Sequence, residues 1–219
     1  VVTDARVDAW TGALYGNALL AGRGRLFLRG ANGRLLPLEL DRWCARADSC
    51  DLTVLSRCEG PVLDIGCGAG RLVEALLTQG HRALGIDVCA SAVITTLRRG
   101  GRAHRASVFD PLPEEGRWGT ALLIDGNIGI GGDPPRLLRR TRQLVRSRGL
   151  LLLETAAADI NARHRVRIED DLGNRGPAFP WASVGCRALL RVAPAAGWRV
   201  MDHWSTAQGR HFSALTALP

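Results

Sequence analysis

Residues 61–72 read PVLDIGCGAGRL: an apolar run turns through Gly66, Gly68 and Gly70 and leaves as a helix. Residues of these types in this order hold a ligand against the main chain. Backbone N–H groups at such a turn can meet an anionic group, and the missing side chains let a ligand come close. Two carboxylates frame the turn: Asp64 lies two residues before Gly66, and Asp87 ends the next apolar run, ALGID, 17 residues after Gly70. In a doubly wound sheet that second position lies beside the glycine turn, where a carboxylate accepts hydrogen bonds from both hydroxyls of a ribose. The spacing argues against a dinucleotide. That fingerprint requires G-x-G-x-x-G, whereas here the third glycine comes one residue early and Arg71 stands in its place.

Such groups need a rigid frame. From residue 60 onward short apolar runs alternate with helical ones: PVLDIG, RLVEALLTQG, RALGIDV, SAVITTLRRG, AHRASVF, TALLIDG, the arginine-rich helix RLLRRTRQLVRSR, and GLLLLET. That alternation predicts a parallel sheet covered on both faces. In the arginine-rich helix, Leu137, Leu138, Thr141, Leu144 and Val145 recur at helical spacing while the arginines fall largely outside that stripe, as on a solvated face. The polar stretch 161–185 interrupts the pattern. A helix shortened by Pro194 and two closing strands, WRVMDHWS and RHFSALTAL, complete the chain. Upstream, residues 25–40 read as a hairpin turning at Asn32-Gly33, and 41–57 as a helix with Asp41 as N-cap. The expected division is an N-terminal extension, 1–58, and a core, 59–219, carrying an insertion at 161–185.

VLDIGCGAGRL, then ALGIDVCASAV, then ASVFDPLP, resembles the class I methyltransferases that use S-adenosylmethionine, in order over roughly residues 60–155. The closing strand pair fits that family as well. The resemblance implies an α/β fold: a doubly wound, mostly parallel seven-stranded sheet with an antiparallel C-terminal hairpin, to which this chain adds the N-terminal hairpin and helix. It implies S-adenosylmethionine as cofactor. Gly66, Gly68 and Gly70 would line its methionine and ribose side, with Cys67 a small loop residue between them. Asp64 would organise the loop and reach the amino group. Asp87 would bind the ribose, Val88 would pack on the adenine, and Ser107, Val108 and Phe109 would read the adenine edge. An acid is common in the family where Ser107 stands; a hydroxyl or the Val108 N–H would have to substitute.

Methyl transfer from a sulfonium is an in-line displacement, so alignment and exclusion of water matter most, and a base is needed only if the acceptor must lose a proton. The resemblance places IDGNIGIGGDPP, 124–135, beside the methyl group. Asp125 and Asn127 are its candidate orienting residues, with Asp125 also near the cofactor. The glycines at 126, 129, 131 and 132 either let a ligand approach or belong to a flexible loop before the N-cap Asp133. DPPR comes late and lacks an aromatic, which speaks against amino-methylation of a nucleic-acid base. Two segments are left for the acceptor pocket: the N-terminal 58 residues, with Trp10, Tyr15, Phe27 and Trp43, and the insertion, with His164, Glu169, Asp170, Phe179 and Trp181. The aromatics either cover a substrate or anchor a lid. His164 is the candidate base; His203 and His211 read as structural, and His104 lies toward the adenine side.

Composition narrows the classes. The formal charge is +8 and all 29 basic residues are arginine, but no aromatics interleave with the densest arginine run, so no base-stacking surface shows. No apolar run reaches 18 residues, which speaks against a membrane span. No basic-then-apolar leader opens the sequence, which starts at Val1 and leaves open whether a native start precedes it; the expected location is cytoplasmic. Six cysteines without a C-x-x-C pair point to free thiols rather than a zinc site or a disulfide framework. The expected activity is therefore methyl transfer to a small molecule, with no nucleic-acid or membrane partner and no metal. An RNA or protein methyltransferase, and a non-catalytic S-adenosylmethionine-binding protein, are the alternatives. The acceptor atom and oligomeric state are not written in the sequence.

Overall fold

A computed structural model describes residues 12–219. In chain order it runs α1 (Ala13–Ala21), β1 (Leu26–Gly30), β2 (Leu35–Pro37), α2 (Leu40–Cys44) and α3 (Ser49–Leu55). The next elements are β3 (Val62–Ile65), α4 (Arg71–Thr78), β4 (Ala83–Asp87), α5 (Ala90–Arg98), β5 (Ala103–Arg105) and β6 (Trp118–Leu123). A kinked 3-10 segment, Asn127–Gly132, leads into α6 (Pro134–Leu144) and β7 (Val145–Thr155). Then come β8 (Asn161–Asp170), β9 (Phe179–Val184), α7 (Cys186–Val192), β10 (Trp198–Ser205) and β11 (His211–Ala217).

Seven strands form the main sheet in the order β10-β11-β7-β6-β3-β4-β5. The five from β7 to β5 run parallel, and β11 and β10 are antiparallel, as the sequence pattern implied. The central parallel strands β3, β4 and β6 are buried on both faces. Leu63 and Ile65 of β3 join one apolar cluster with Leu137 and Leu138 of α6 and Leu189 of α7. Val62 joins the opposite cluster with Val54, Leu72 and Leu76. Asp64 shares the parity of Val62, so strand alternation puts it on that second face.

A second, antiparallel sheet runs β2-β1-β8-β9. It joins the N-terminal hairpin to the insertion, because β1 pairs with β8, Leu28 opposite Ile168. Leu26, Leu28, Val166, Ile168 and Phe179 form a third apolar cluster with Tyr15 and Leu19 of α1 and Leu40 of α2. The alternate residues look outward, where Glu169 accepts hydrogen bonds from Arg29 and Arg175. The insertion is thus a strand pair. Pro180 fits because β9 is an edge strand, where a missing N–H costs no ladder bond.

Three local expectations give way. The arginine-rich helix expected over 136–148 ends at Leu144, and Val145 opens β7. The helix expected over 41–57 with Asp41 as N-cap is two helices. Asp48 Oδ1 accepts from Asp51 N–H at 2.8 Å and Asp51 Oδ2 accepts from Asp48 N–H at 3.2 Å, a reciprocal cap that restarts the helix at Ser49. The third strand, expected over 103–109, stops at Arg105. There the Ser107 N–H donates to Asp110 Oδ2 and the Phe109 N–H donates to Ser107 Oγ, side-chain bonds that fold the chain into a turn. No helix among the described residues is long and apolar enough to cross a membrane, and all six cysteines are free thiols.

Candidate active site

The glycine turn joins β3 to α4 at the C-terminal end of the main sheet. Gly66 has φ +75°, and a Cβ there would stand 2.6 Å from Nδ2 of Asn127, so the position needs glycine for both conformation and space. Asn127 explains the crowding: its amide donates to the carbonyls of Ile65 and Gly66 at 2.9 and 3.1 Å. Asp87 holds the other flank, accepting from Gly68 N–H at 3.0 Å and from Cys89 N–H at 2.8 Å. Burial raises the Asp87 pKa to about 6 against the pull of those N–H groups. Asp64 is pushed further, to about 7, first by burial and then by Asp125, Asp87 and Asp51, with Arg71 opposing. Its Oδ2 is buried without a partner.

These residues open onto a cavity of about 520 Å³ between the main sheet and the lid sheet. At one end it is lined by Cys67, Gly68, Asp87, Val88 and the turn Ser107–Phe109. At the other it is lined by apolar and aromatic groups from the lid and α2, among them Leu28, Leu38, Trp43, Phe179 and Trp181. Tyr15 also lines it; burial, and then Asp87, raises its hydroxyl pKa well above the usual range. Phe179 and Trp181 meet edge to face, their centroids 6.2 Å apart. The guanidinium of Arg136 lies 4.2 Å from the centre of the Phe109 ring, securing the Ser107–Phe109 turn from α6.

A charge cluster between these ends was not read from the sequence. Arg71 forms a two-bond fork to Asp51, at 2.8 and 3.0 Å, and reaches Asp125 at 2.6 and 3.1 Å. Arg210 donates to Asp51, Asp125 and both oxygens of Glu154. Arg42 completes the ring on Asp125 at 2.8 Å, and the Asp125 N–H donates to Glu154 at 2.8 Å. Burial alone would raise the Asp51 pKa, but Arg71 and Arg210 hold it down at about 2. The one available signal was Arg71, the residue that breaks the dinucleotide spacing. Nothing local marks Asp51 and Arg210, which are distant in sequence and meet only through the fold.

The remaining predicted site residues divide clearly. Gly66, Cys67, Gly68, Asp87, Val88, Ser107, Val108, Phe109, Asp125 and Asn127 all line the cavity; Asp64 and Gly70 lie behind it. Asn127 is engaged in holding the glycine turn, and Asp125 in binding three arginines. His164 pairs with Trp181 across the lid strands but is exposed and does not line the cavity. Glu169 and Asp170 serve the lid: the first pairs with arginines, the second accepts from Leu172, and from the N–H and side-chain amide of Asn174. Of the aromatics expected at the acceptor, Tyr15, Trp43, Phe179 and Trp181 reach the cavity and Phe27 does not; Trp10 lies outside the described residues.

The family model for a methyltransferase domain matches residues 38–213. A ubiquinone biosynthesis O-methyltransferase from Rhodopseudomonas palustris is 25% identical over 138 residues, 61% of this chain and 48% of that protein. The match thus spans about half the length of that relative. Among solved structures, an S-adenosylmethionine-dependent methyltransferase from Bacteroides fragilis, in complex with S-adenosyl-L-homocysteine, overlays with a TM-score of 0.80. The overlay covers 99% of this chain and 98% of that one at 19% identity. The 1,6-didemethyltoxoflavin-N1-methyltransferase of Burkholderia thailandensis overlays at 0.60, with 18% identity and 82% of each chain covered. At these identities the likeness is one of fold.

Proposed function

The chain belongs to the methyltransferase domain family, and from that premise we propose that it transfers a methyl group from S-adenosylmethionine to a small-molecule acceptor beneath the lid sheet. The observation that carries this reading is the single cavity of about 520 Å³, which joins the glycine turn and Asp87 to an apolar, aromatic end. The residues present fit the cofactor. Asp87 lines the wall with its carboxylate oriented by two N–H groups, ready to accept from ribose hydroxyls. Asp64 keeps a buried oxygen without a partner behind the glycine turn, where a cationic amino group, directly or through water, would satisfy it. Val88 and the 107–109 turn provide the surface for a flat base.

The bound cofactor supplies an electrophilic methyl on a sulfonium, open to in-line displacement by an acceptor lone pair. The chain's own share is alignment and dryness. The lid sheet excludes bulk water. The Arg42–Arg71–Arg210 cluster fixes α2, α3, β7 and β11 around the acceptor end. Calorimetric titration with S-adenosylhomocysteine should show one site, weakened in Asp87→Ala. Absence of binding in the folded protein overturns the reading. Methyl transfer to RNA or protein in preference to small molecules overturns the acceptor class.

A further inference from the structure

The glycine turn is held by more than its own motif. Its first half hangs on β4: the Gly66 and Cys67 N–H groups both donate to the Ile86 carbonyl, at 2.8 and 3.0 Å. Its centre is Gly68, at φ +54° in the left-handed region. Glycine crosses between left- and right-handed φ at little cost, so this residue keeps one conformation only if the peptides on both sides of it are tied. The peptide before it is tied by the Gly68 N–H, which donates to Asp87 Oδ2 at 3.0 Å. The peptide after it is tied by the Gly68 carbonyl, which accepts from Thr96 Oγ1 at 3.2 Å. No backbone N–H among the described residues donates to that carbonyl.

Thr96 belongs to α5, is fully buried and does not line the cavity. Two glycines let it come so near the turn. A Cβ on Gly70 would stand 2.6 Å from Thr96 Oγ1 and 2.8 Å from its Cα, and one on Gly101 would stand 2.8 Å from its Cγ2. The third glycine of the turn is thus bare for α5 rather than for a ligand. A threonine inside a helix commonly returns its hydroxyl to the carbonyl one turn earlier, as Thr95 does to Ser91 at 2.8 Å. Thr96 instead gives its hydroxyl to the glycine turn, where it also lies 3.7 Å from the Cys67 sulfur.

Resting on the methyltransferase reading, we infer that Thr96 is a positioning residue for the cofactor: its hydroxyl locks Gly68 in the conformation in which the turn receives S-adenosylmethionine. Without that bond the Gly68–Ala69 peptide can rotate, and the ligand-free protein divides its population between competent and incompetent turns. Apparent affinity falls in proportion to the competent fraction, so a fraction of about one in ten makes binding about tenfold weaker.

The test titrates the intact protein with S-adenosylhomocysteine by calorimetry, at a temperature where circular dichroism shows each variant folded. Thr96→Val and Thr96→Ala both remove the hydroxyl, the first keeping the side chain's shape and the second not. Both should bind about tenfold more weakly than the wild type. Thr96→Ser keeps the hydroxyl and loses the methyl group against Gly101; it should bind within about threefold of the wild type, even where its Tm is lower. In ligand-free Thr96→Val, the amides of residues 66–70 should exchange with solvent faster than in the wild type and slow again at saturation. A purely structural role moves Tm and leaves the affinity of all three variants unchanged, and that result overturns the proposal. A loss in Thr96→Ser equal to that in Thr96→Ala also overturns it, because packing and not the hydroxyl would then set the affinity. If the wild type does not bind S-adenosylhomocysteine, the methyltransferase reading fails first; if it binds and the hydroxyl makes no difference, only the role of Thr96 fails.

Discussion

Asp125→Asn removes one negative charge from a cluster of facing charges. Three guanidinium groups, on Arg42, Arg71 and Arg210, face Asp51, Asp125 and Glu154, and Arg42 also pairs with the more exposed Glu39. The Arg71 and Asp51 side chains are 4% and 0% exposed, and Asp125 only 13%. Asparagine keeps the shape and one oxygen, but Arg42, Arg71 and Arg210 each lose one carboxylate partner and are left with Glu39, Asp51 and Glu154. Removing one partner of a buried ion pair costs about 3–5 kcal/mol. Residual hydrogen bonding by the amide and the partial exposure of Asp125 favour the lower end, about 3 kcal/mol. For a domain of this size that corresponds to a Tm lower by about 6–12 °C. Urea unfolding and thermal melts measure the loss directly. Turnover at a temperature where the variant stays folded should fall by no more than about tenfold, because the amide side chain preserves the local shape. A variant that melts like the wild type while losing about a hundredfold or more in kcat would refute this reasoning and restore Asp125 as a residue of the chemistry.

Three further outcomes follow from the geometry. Asp87→Asn should weaken S-adenosylhomocysteine binding by about 10–100-fold by calorimetry, since it replaces a charged acceptor of two hydroxyls with a neutral one. Cofactor affinity should also depend on pH. The Asp87 and Asp64 pKa values, raised to about 6 and about 7, mean that both bind protons more tightly in the folded chain than the unfolded carboxylate at 3.8. Their contribution to stability is therefore fully present below pH 3.8 and is lost as pH rises through 6 to 7, so the ligand-free Tm should fall across that window on their account. Cofactor binding favours the ionised forms, so its affinity should rise by up to about tenfold per pH unit for each proton released and level off above about pH 7; an affinity flat from pH 5 to 8 contradicts both assignments. His164→Ala should leave kcat and KM unchanged within about twofold, because the side chain is exposed and lines no part of the cavity.

How much of this was legible follows from the range of each interaction. The cofactor end is built from contacts local to βαβ units. Gly66, Gly68, Asp87 and Val88 lie within one turn and the strand beside it, so spacing in sequence stands for spacing in space. The parallel strands followed from the same alternation, and the antiparallel closing pair from the family resemblance. The lid was only half legible. The run RVRIED of β8 does alternate, with Val166 and Ile168 inward and the arginines outward. Its polar neighbours, two glycines and two prolines obscured the period, and its pairing with a hairpin more than a hundred residues earlier has no local mark. Of the Asp51–Arg71–Asp125–Arg210 cluster only Arg71, which breaks the dinucleotide spacing, and Asp125, in the loop after β6, were marked in the sequence. The cluster itself exists only where α3, α4, the end of β6 and the end of the β10–β11 turn converge.

The glycines after β6 divide between two causes: Gly126 and Gly131 line the cavity, while Gly129 and Gly132 make room for β9. A glycine-rich loop beside the methyl position suggests room for a ligand. At Gly129, however, a Cβ would stand 2.3 Å from the carbonyl oxygen of Ala182 and 2.7 Å from the Trp181 ring, and at Gly132 one would stand 2.7 Å from Pro180. The space belongs to β9. The loop is bare so that the lid strand can lie directly on it, which brings Trp181 to the cavity wall. The same contact ties acceptor specificity to the insertion rather than to the loop's own side chains: Asn127 is turned back onto the glycine turn, Asp125 onto the arginines, and Ile128 into the core. On the proposed reading, selection among acceptors would fall mainly to aromatic lining residues outside that loop, Trp43 on α2 and Phe179 and Trp181 on β9. These residues come from elements far apart in sequence that carry no shared motif, so the cofactor was readable from motif spacing and the acceptor was not.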